Sequence, residues 1–288
     1  MPTTITKKQI RKPQKQQRPG SEQKMQPKPV FDYPQQKGSN KLLNKIALIT
    51  GGDSGIGKAV AILFAKGADI AISYLSEKKD ADETKKIIEQ QNHKQCLLIA
   101  GDIAKEKHCK ELIKKTVAAF GRIDILINNA GLHFENKSLE KISTREMLKT
   151  FETNVFSMFW VTKACLPYMK KGSCIINTAS VTAYRGSSSL MDYAATKGAI
   201  VSFTRSLSSN LIKKGIRVNG VAPGPVWTPL IASSFNSKRV AQHGSNAPME
   251  RSGQPVEIAP CYLFLASADS GYISGQFLHP NGGEIVNG

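Results

Sequence analysis

Tyr193 and Lys197 are the residues whose types and spacing most directly suggest proton chemistry. They lie four residues apart in a segment, 192–213, that is predicted to be helical, so their side chains share one helix face. A phenol has a pKa of about 10, and a nearby ammonium lowers that pKa because it favours the phenolate. The pair is a candidate general acid/base for a reacting oxygen. The alternative is a surface Tyr and Lys, because this spacing is common.

A glycine-rich turn, TGGDSGIG at 50–57, lies between a short apolar run at 45–50 and a segment of helical spacing at 55–67. Glycines let the backbone approach a phosphate closely, and a helix N-terminus offers free N–H groups and the positive end of its dipole. Glycine clusters also form plain turns. The strand–turn–helix context favours binding of a dinucleotide pyrophosphate.

The elements that must position these residues alternate between apolar runs and amphipathic segments. We predict strands at 45–50, 69–75, 96–102, 124–131, 173–180, 216–224 and 275–280. We predict helices at 55–67, 79–91, 105–120, 143–169, 192–213 and 257–267. This order predicts an α/β, doubly wound (Rossmann) fold, with a mostly seven-stranded parallel sheet, helices on both faces and a single domain.

Residues 1–40 form a basic extension rich in Gln, Pro and Lys, ahead of a dinucleotide-binding catalytic domain at 41–288. Residues 1–45 hold eleven Lys or Arg against two acidic residues, a net charge of +9 and half of the total of +18. The extension cannot offset its ordering entropy alone, which predicts a partly flexible tail. Alternatively, apolar residues within 28–36 dock on the body. Because no nucleic-acid motif accompanies the charge, we expect no specific nucleic-acid partner.

The composition favours a globular protein without a membrane segment. The apolar fraction is 40%, no run approaches the roughly 18 apolar residues of a membrane helix, and the N-terminus has no apolar signal region. The five cysteines and five histidines are scattered without CxxC or HxxxH pairs. This pattern predicts small buried cysteines and no metal site. We expect a cytoplasmic protein.

Several motifs in order resemble the short-chain dehydrogenase/reductase (SDR) family over residues 42–288. They are the turn at 50–57, the NNAG sequence at 128–131, Ser180, the YxxxK sequence at 193–197, and a Pro-Gly pair at 223–224. The glycine turn, the basic extension and the VAPGPVWTPL segment further resemble a bacterial subgroup of broad-specificity or unassigned dehydrogenases. The resemblance implies an NAD(P)-dependent oxidoreductase that interconverts a secondary alcohol, such as a polyol or sugar, and a ketone by hydride transfer.

The resemblance also assigns catalytic and substrate roles. Tyr193 is the general acid/base, and Lys197 assists it and hydrogen-bonds the nicotinamide ribose. Ser180 binds the substrate oxygen, and Asn154 holds a water linked to Lys197. From the residues alone, the alternatives are a cap or turn serine for Ser180 and an inter-helix hydrogen bond for Asn154. His133, just after NNAG, is a candidate substrate-pocket residue or a loop-packing residue.

The cofactor-binding residues implied by the resemblance follow the carboxyl ends of the strands. Asp102 accepts a hydrogen bond from the adenine amino group, Asn129 ties strands together, and Thr228 reaches the carboxamide. The set is Gly51, Asp53, Ser54, Gly55, Ile56, Gly57, Tyr74, Leu75, Asp102, Ile103, Asn129, Ala130, Gly131, Tyr193, Lys197, Pro223, Gly224, Val226 and Thr228.

The choice between NAD and NADP depends on charge near the adenosine ribose. NADP users of the family place a cation in the glycine turn or after the second strand, whereas this chain has Asp53 and Ser54 in the turn and Tyr74 and Leu75 after the strand. NAD users often have an Asp at this strand end, and this chain departs from that pattern. We predict that NAD is preferred, with NADP as the alternative.

The remaining expectations concern the substrate lid, the assembly and rival functions. A loop at about 229–253 is expected to form the lid, and the sequence shows no cationic cluster that would require a carboxylated substrate. The helices at 143–169 and 192–213 and the C-terminal GGEIVNG resemble subunit contacts of the family, so we expect a homotetramer. A non-catalytic NAD-binding sensor and a dehydratase or epimerase are alternatives on the same scaffold.

Overall fold

The protein is built around one seven-stranded sheet in which every strand is parallel to its neighbours, in the order β3-β2-β1-β4-β5-β6-β7. The computed structural model describes residues 8–33, 35 and 39–286. The strands are β1 (Ile46–Thr50), β2 (Asp69–Tyr74), β3 (Cys96–Ala100), β4 (Ile125–Asn128), β5 (Cys174–Thr178), β6 (Arg217–Val221) and β7 (Phe277–Leu278). The predicted seven-stranded parallel sheet is confirmed.

Helices cover both faces of the sheet, which is why its strands are apolar on both sides. Along β1, Ala47 and Ile49 pack with α1, α2 and α10, whereas Leu48 packs with α3, α5 and the end of α7. Among the described residues the α-helices are α1 (Gly55–Phe64), α2 (Lys78–Gln91), α3 (Glu106–Phe120), α4 (Thr144–Phe151), α5 (Ser157–Cys165), α6 (Thr182–Arg185), α7 (Met191–Leu211), α8 (Pro229–Ser234), α9 (Ser237–Gln242) and α10 (Pro255–Ala266).

The helix predicted over 143–169 is interrupted in the structure. A π-helical segment, Glu152–Phe156, separates α4 from α5, and a short 3-10 turn, Leu166–Tyr168, follows α5. A π segment inserts a residue and shifts the faces that the flanking helices present, and such segments are frequent at functional sites. Asn154 lies within this one.

The expected lid loop over 229–253 also differs, because it contains α8 and α9. Pro229 occupies the first turn of α8, and the Asn236 side chain accepts a hydrogen bond from the Arg239 N–H at the start of α9. Both helices bury apolar residues, including Ile231 and Val240. The short helices were missed because each spans too few residues to show a period. The part of the chain described here contains no helix long and apolar enough to cross a membrane.

The N-terminal extension lies along the folded body over residues 8–33. Its backbone hydrogen-bonds distant segments: Ile10 N donates to Ala241 O at 2.9 Å, and Val256 N donates to Val30 O at 3.0 Å. The Trp227 indole also donates to Pro27 O at 2.8 Å. Contact therefore extends well beyond the 28–36 segment considered from the sequence. Residues 1–7, 34 and 36–38 of the extension lie outside the described residues.

A buried ion pair joins the extension to the first helix of the sheet domain. Glu22 accepts hydrogen bonds from the Gly55 N–H at 2.9 Å and the Lys58 ammonium at 2.8 Å, and both side chains are buried. Burial raises the pKa of Glu22, and Lys58 opposes that rise. Lys58 also lies 4.0 Å from the Phe31 ring centroid. The carboxylate meets the positive end of the α1 dipole, which favours an anion there.

We expect Lys58→Met to lower the free energy of unfolding by about 3–5 kcal/mol, because it leaves the Glu22 carboxylate buried without its cation. The double variant Lys58→Met/Glu22→Gln should recover much of that loss, since a neutral amide can still accept the Gly55 N–H. Urea unfolding measures both. Lys110→Met is the control, because its ion pair with Glu106 is exposed. A double variant no more stable than Lys58→Met alone would contradict this account.

Candidate active site

A single cleft of about 1560 Å³ runs along the carboxyl ends of the strands, beside the β1–β4 junction where the order of crossovers reverses. Ligands of open parallel sheets bind at this kind of junction. The cleft exceeds the roughly 300–1,000 Å³ of an ordinary small-molecule pocket, so it has room for a dinucleotide and a second ligand. Every catalytic, cofactor and substrate residue predicted from the sequence lines it except Gly57 and Asn154.

The glycine turn after β1 is held in a shape that only glycine adopts easily. Gly51 and Gly55 have φ of 65° and 54°. The Asn129 amide donates to the carbonyl oxygens of Thr50 at 3.1 Å and Gly51 at 3.2 Å, which ties β4 to the turn. A Cβ on Gly57 would lie 2.0 Å from the Gly51 oxygen. Gly57 therefore permits tight packing of the turn rather than lining the cleft.

The start of α1 fits the pyrophosphate of a dinucleotide. The Ser54 side chain does not cap the helix, so it leaves the first-turn N–H groups of Ile56 and Gly57 to other acceptors. The Gly55 N–H, expected from the sequence to face the cofactor, instead donates to Glu22. The fit thus rests on the open cleft, the glycine backbone and two N–H groups of α1.

Two carboxyl groups line the cleft at the glycine turn and beyond β3. Asp102, just beyond β3, accepts from the Ala104 N–H at 2.9 Å and the Lys149 ammonium at 2.8 Å. Burial opposes the effect of these donors, yet the pKa of Asp102 stays below its usual value. Burial raises the pKa of Asp53, in the glycine turn, to about 6. Both groups line the cleft with Tyr74, and Lys149 balances the charge of Asp102.

Tyr193, Ser180 and Lys197 meet where β5 ends. The Lys197 ammonium is buried and donates to the Thr178 carbonyl at 2.7 Å, and it lies 5.3 Å from the Tyr193 ring centroid. A hydrogen bond joins Ser180 to the Tyr193 phenol. The arrangement brings an acid/base group, a hydroxyl donor and a cation to one point of the cleft.

The pKa values within this cluster differ from the sequence expectation. Desolvation raises the pKa of Tyr193 to about 12, and the Ser180 hydrogen bond only partly opposes that rise. Burial lowers the pKa of Lys197 to about 7. The expected lowering of the tyrosine pKa by lysine is absent from the protein alone, because the ammonium is itself desolvated and directed at the Thr178 carbonyl. A further positive charge beside the phenol is needed to favour the phenolate at neutral pH.

Asn154 lies behind Lys197 rather than in the cleft wall. Its amide accepts from Leu132 N at 2.8 Å and donates to Leu132 O at 2.9 Å and to the Thr196 hydroxyl at 3.1 Å. A Cβ on Gly131 would lie 3.3 Å from the Asn154 oxygen and 3.7 Å from the Lys197 ammonium. Asn154 thus anchors the loop after β4 to the helix that carries Tyr193 and Lys197. The hydrogen bond to Thr196 is the inter-helix contact that the sequence analysis gave as the alternative role of Asn154.

His133 lines the cleft beside Tyr193. Its ring is buried and stands edge-on to Tyr193, with 5.1 Å between the ring centroids. Burial lowers its pKa to about 3, so the imidazole is neutral at physiological pH. Its Nδ1 has no hydrogen-bond partner among the described residues. A neutral histidine with a spare ring nitrogen can hydrogen-bond a substrate hydroxyl.

Sequence analysis did not identify several residues of the site. Arg18, Pro19 and Gly20 of the extension line the cleft beside His133. Arg239, on α9, pairs with Glu135. No short motif marks these residues, because each reaches the site through a contact with a distant part of the chain. The described residues contain no group of three or more His, Cys, Asp or Glu side chains placed to hold a metal ion.

Comparisons with known proteins agree with this geometry. A family model described as enoyl-(acyl carrier protein) reductase matches residues 51–284. The uncharacterized oxidoreductase YhxC of Bacillus subtilis is 58% identical over 98% of this chain and 99% of its own length. The glucose and ribitol dehydrogenase of Daucus carota is 51% identical over 96% of this chain and 97% of its own.

A solved structure extends the similarity to the fold. The crystal structure of a short chain dehydrogenase from Burkholderia cenocepacia in complex with NADP aligns with a TM-score of 0.79 and 31% sequence identity. The alignment covers 84% of this chain and 98% of that chain.

The buried ammonium predicts a pH-dependent difference in stability. The pKa of Lys197 is about 7 in the folded protein and about 10.4 in an unfolded chain. Between these values only the unfolded state holds the proton, so the wild type gains stability as pH rises. Lys197→Met lacks this group and should not gain the same stability. The free energy of unfolding of Lys197→Met minus that of the wild type should therefore decrease between pH 7 and 10, by up to about 4 kcal/mol.

Chemical unfolding at several pH values measures this difference. Lys163→Met is the matched control, because Lys163 is exposed, and its difference from the wild type should not vary with pH. If the free energy of unfolding of Lys197→Met minus that of the wild type stays constant or increases as pH rises, the ammonium is not desolvated.

Proposed function

The chain belongs to the short-chain dehydrogenase/reductase family, and from this membership we propose that it interconverts a secondary alcohol and a ketone with Tyr193 as the general acid/base. It is an oxidoreductase of a family that binds NAD(P). The proposal rests on one observation: Tyr193, Ser180 and Lys197 lie close together at the end of β5. These residues share one cleft with the glycine turn.

The proposed mechanism assigns each residue one task. Ser180 donates a hydrogen bond to the substrate oxygen and stabilises the negative charge that develops there. Tyr193 removes the hydroxyl proton during alcohol oxidation and returns it during ketone reduction. NAD(P), when bound, accepts or supplies the hydride, and its oxidised ring carries a positive charge. Lys197 adds a second cation behind the phenol, which favours the phenolate.

The remaining residues hold the reacting groups in place. Asn154 fixes the loop after β4 against the helix of Tyr193 and Lys197, and we propose that it also orders a water linked to Lys197. His133 packs edge-on against Tyr193, and we propose that it contacts the substrate. The cofactor is held by the N–H groups of Ile56 and Gly57 and by the residues at the strand ends, with Thr228 at the carboxamide end.

We propose a polyol or sugar as the substrate class, because the Daucus carota relative is a glucose and ribitol dehydrogenase. A sensor that binds NAD without turnover would not need a buried ammonium beside a tyrosine, since that arrangement costs stability. A dehydratase or epimerase would use the same residues but leave no net change in NADH.

We propose that NAD is preferred over NADP. Asp53 lies in the glycine turn, where its negative charge would oppose a 2′-phosphate. Lys78, just after β2, is paired with Asp82 at 2.7 Å. The Burkholderia cenocepacia relative was solved with NADP and a similar reductase of Brucella melitensis with NADH, so the family accommodates either cofactor. A kcat/KM at least tenfold higher with NADP than with NAD would contradict the proposal.

We further propose a cytoplasmic homotetramer of the bacterial subgroup whose members carry a basic extension. The α4–α5 surface supports subunit contact, because it exposes large apolar side chains. They are Met147, Leu148, Phe156 and Phe159.

The proposed acid/base role makes a direct prediction. Tyr193→Phe should lower kcat/KM about 10²- to 10⁴-fold on any alcohol or ketone that the wild type turns over, because general acid/base catalysis contributes that factor. Binding of NADH should stay within a few-fold. A panel of polyols, sugars and ketones followed by NADH absorbance provides the measurement. Tyr272→Phe, fully exposed, is the control; full activity of Tyr193→Phe would refute the mechanism.

A further inference from the structure

The N-terminal extension contributes a guanidinium to the substrate end of the cleft. The Arg18 side chain donates to the His133 carbonyl at 2.7 Å, and its guanidinium carbon lies 4.2 Å from the Phe134 ring centroid. His133 in turn contacts Tyr193. His133 is therefore the residue that links Arg18 to Tyr193, the proposed acid/base. The ring contact and the hydrogen bond to the carbonyl hold the guanidinium beside His133.

Arg18 has donors to spare. A guanidinium carries five N–H groups, and the hydrogen bond to His133 uses one of them. No carboxylate lies within 4 Å of it in the part of the chain that the structure describes. Glu146 acts on it only at longer range. The nearby Arg239 differs, because it is held by Glu135 and by the Ser189 hydroxyl at 2.9 Å.

Two of the four carboxylates that line the cleft are paired with a cation. The four carboxylates are in the glycine turn, after β2 and β3, and near the C-terminus: Asp53, Glu77, Asp102 and Glu284. Lys149 neutralises Asp102, and Arg185 neutralises Glu284. Positive charge dominates around His133. The charges of Arg18 and Arg239 both lower the pKa of its imidazole, and only Arg239 has an acidic partner. The sequence showed no such cluster, because these two arginines are far apart in the chain.

We propose that Arg18 forms a subsite for an anionic group, a phosphate or carboxylate, at the end of the substrate remote from the reacting carbon. The inference rests on the proposed function, because it names the substrate class of the same site. A guanidinium with free N–H groups binds either anion through paired, charge-assisted hydrogen bonds. The favoured substrate is an acidic sugar or polyol derivative. The extension is thereby part of the active site.

Two matched pairs of probes test the subsite: ribose with ribose 5-phosphate, and glucose with glucuronate. Turnover with NAD and NADP is followed by absorbance, and binding to the full-length protein by calorimetry in the presence of cofactor. The variants are Arg18→Gln and, as control, Lys12→Ala, another exposed cation of the extension. Thermal unfolding establishes that each variant is folded.

We expect the wild type to favour the anionic member of at least one pair. Arg18→Gln should weaken its kcat/KM or its binding about ten- to hundredfold, the range of charge-assisted hydrogen bonds. The neutral member should change less than threefold, and Lys12→Ala should change neither. An effect on the phosphate alone or the carboxylate alone identifies the anion.

The proposal would be overturned if the wild type bound the charged and neutral probes equally. It would also be overturned if Arg18→Gln lowered binding or kcat/KM equally for both, since Arg18 would then only support His133. The proposed function can fail separately. Charge-dependent binding through Arg18 without any change in NADH, on these probes or on other alcohols and ketones, would retain the subsite and contradict the oxidoreductase mechanism.

Discussion

A buried ammonium held by a carbonyl at the end of a strand is the interaction on which the site depends. Lys197 donates to Thr178 where β5 ends, and that carbonyl is placed by the parallel sheet. The hydrogen bond fixes the helix that carries Tyr193, which aims the phenol into the cleft beside Ser180. Desolvation of the ammonium and the phenol disfavours the charged form of each. The cluster therefore becomes active only when further charge enters the cleft.

The extension connects the two ends of this cleft. Glu22 binds the first N–H of α1 and the buried Lys58 at the cofactor end, whereas Arg18 lies four residues earlier at the substrate end. A segment too polar to fold alone is ordered because the body supplies its hydrogen-bond partners. Part of the positive charge that the sequence analysis assigned to a partly flexible tail, including Arg18, thus lies in the wall of the cleft.

Local patterns explain what the sequence could predict. Apolar runs located the strands, and the motifs located Gly51, Ser180 and Tyr193 because each follows a strand end or shares a helix face. Other features depend on contacts between distant residues and left no local pattern. They include the path of the extension, the Glu22–Lys58 pair and the π-helical segment around Asn154. The pKa of Tyr193 was misjudged because spacing reports proximity to Lys197 but not desolvation.

Transfer of deuterium from cofactor to product tests the central claim most directly. The protein is incubated with NADH or NADPH deuterated at both C4 positions and a panel of sugars and ketones, and the products are analysed by mass spectrometry. Our account predicts a carbinol product heavier by the difference between deuterium and hydrogen, with the label on the new C–H bond. If the labelled cofactor binds but no product acquires deuterium, the chain is not the hydride-transfer enzyme described above.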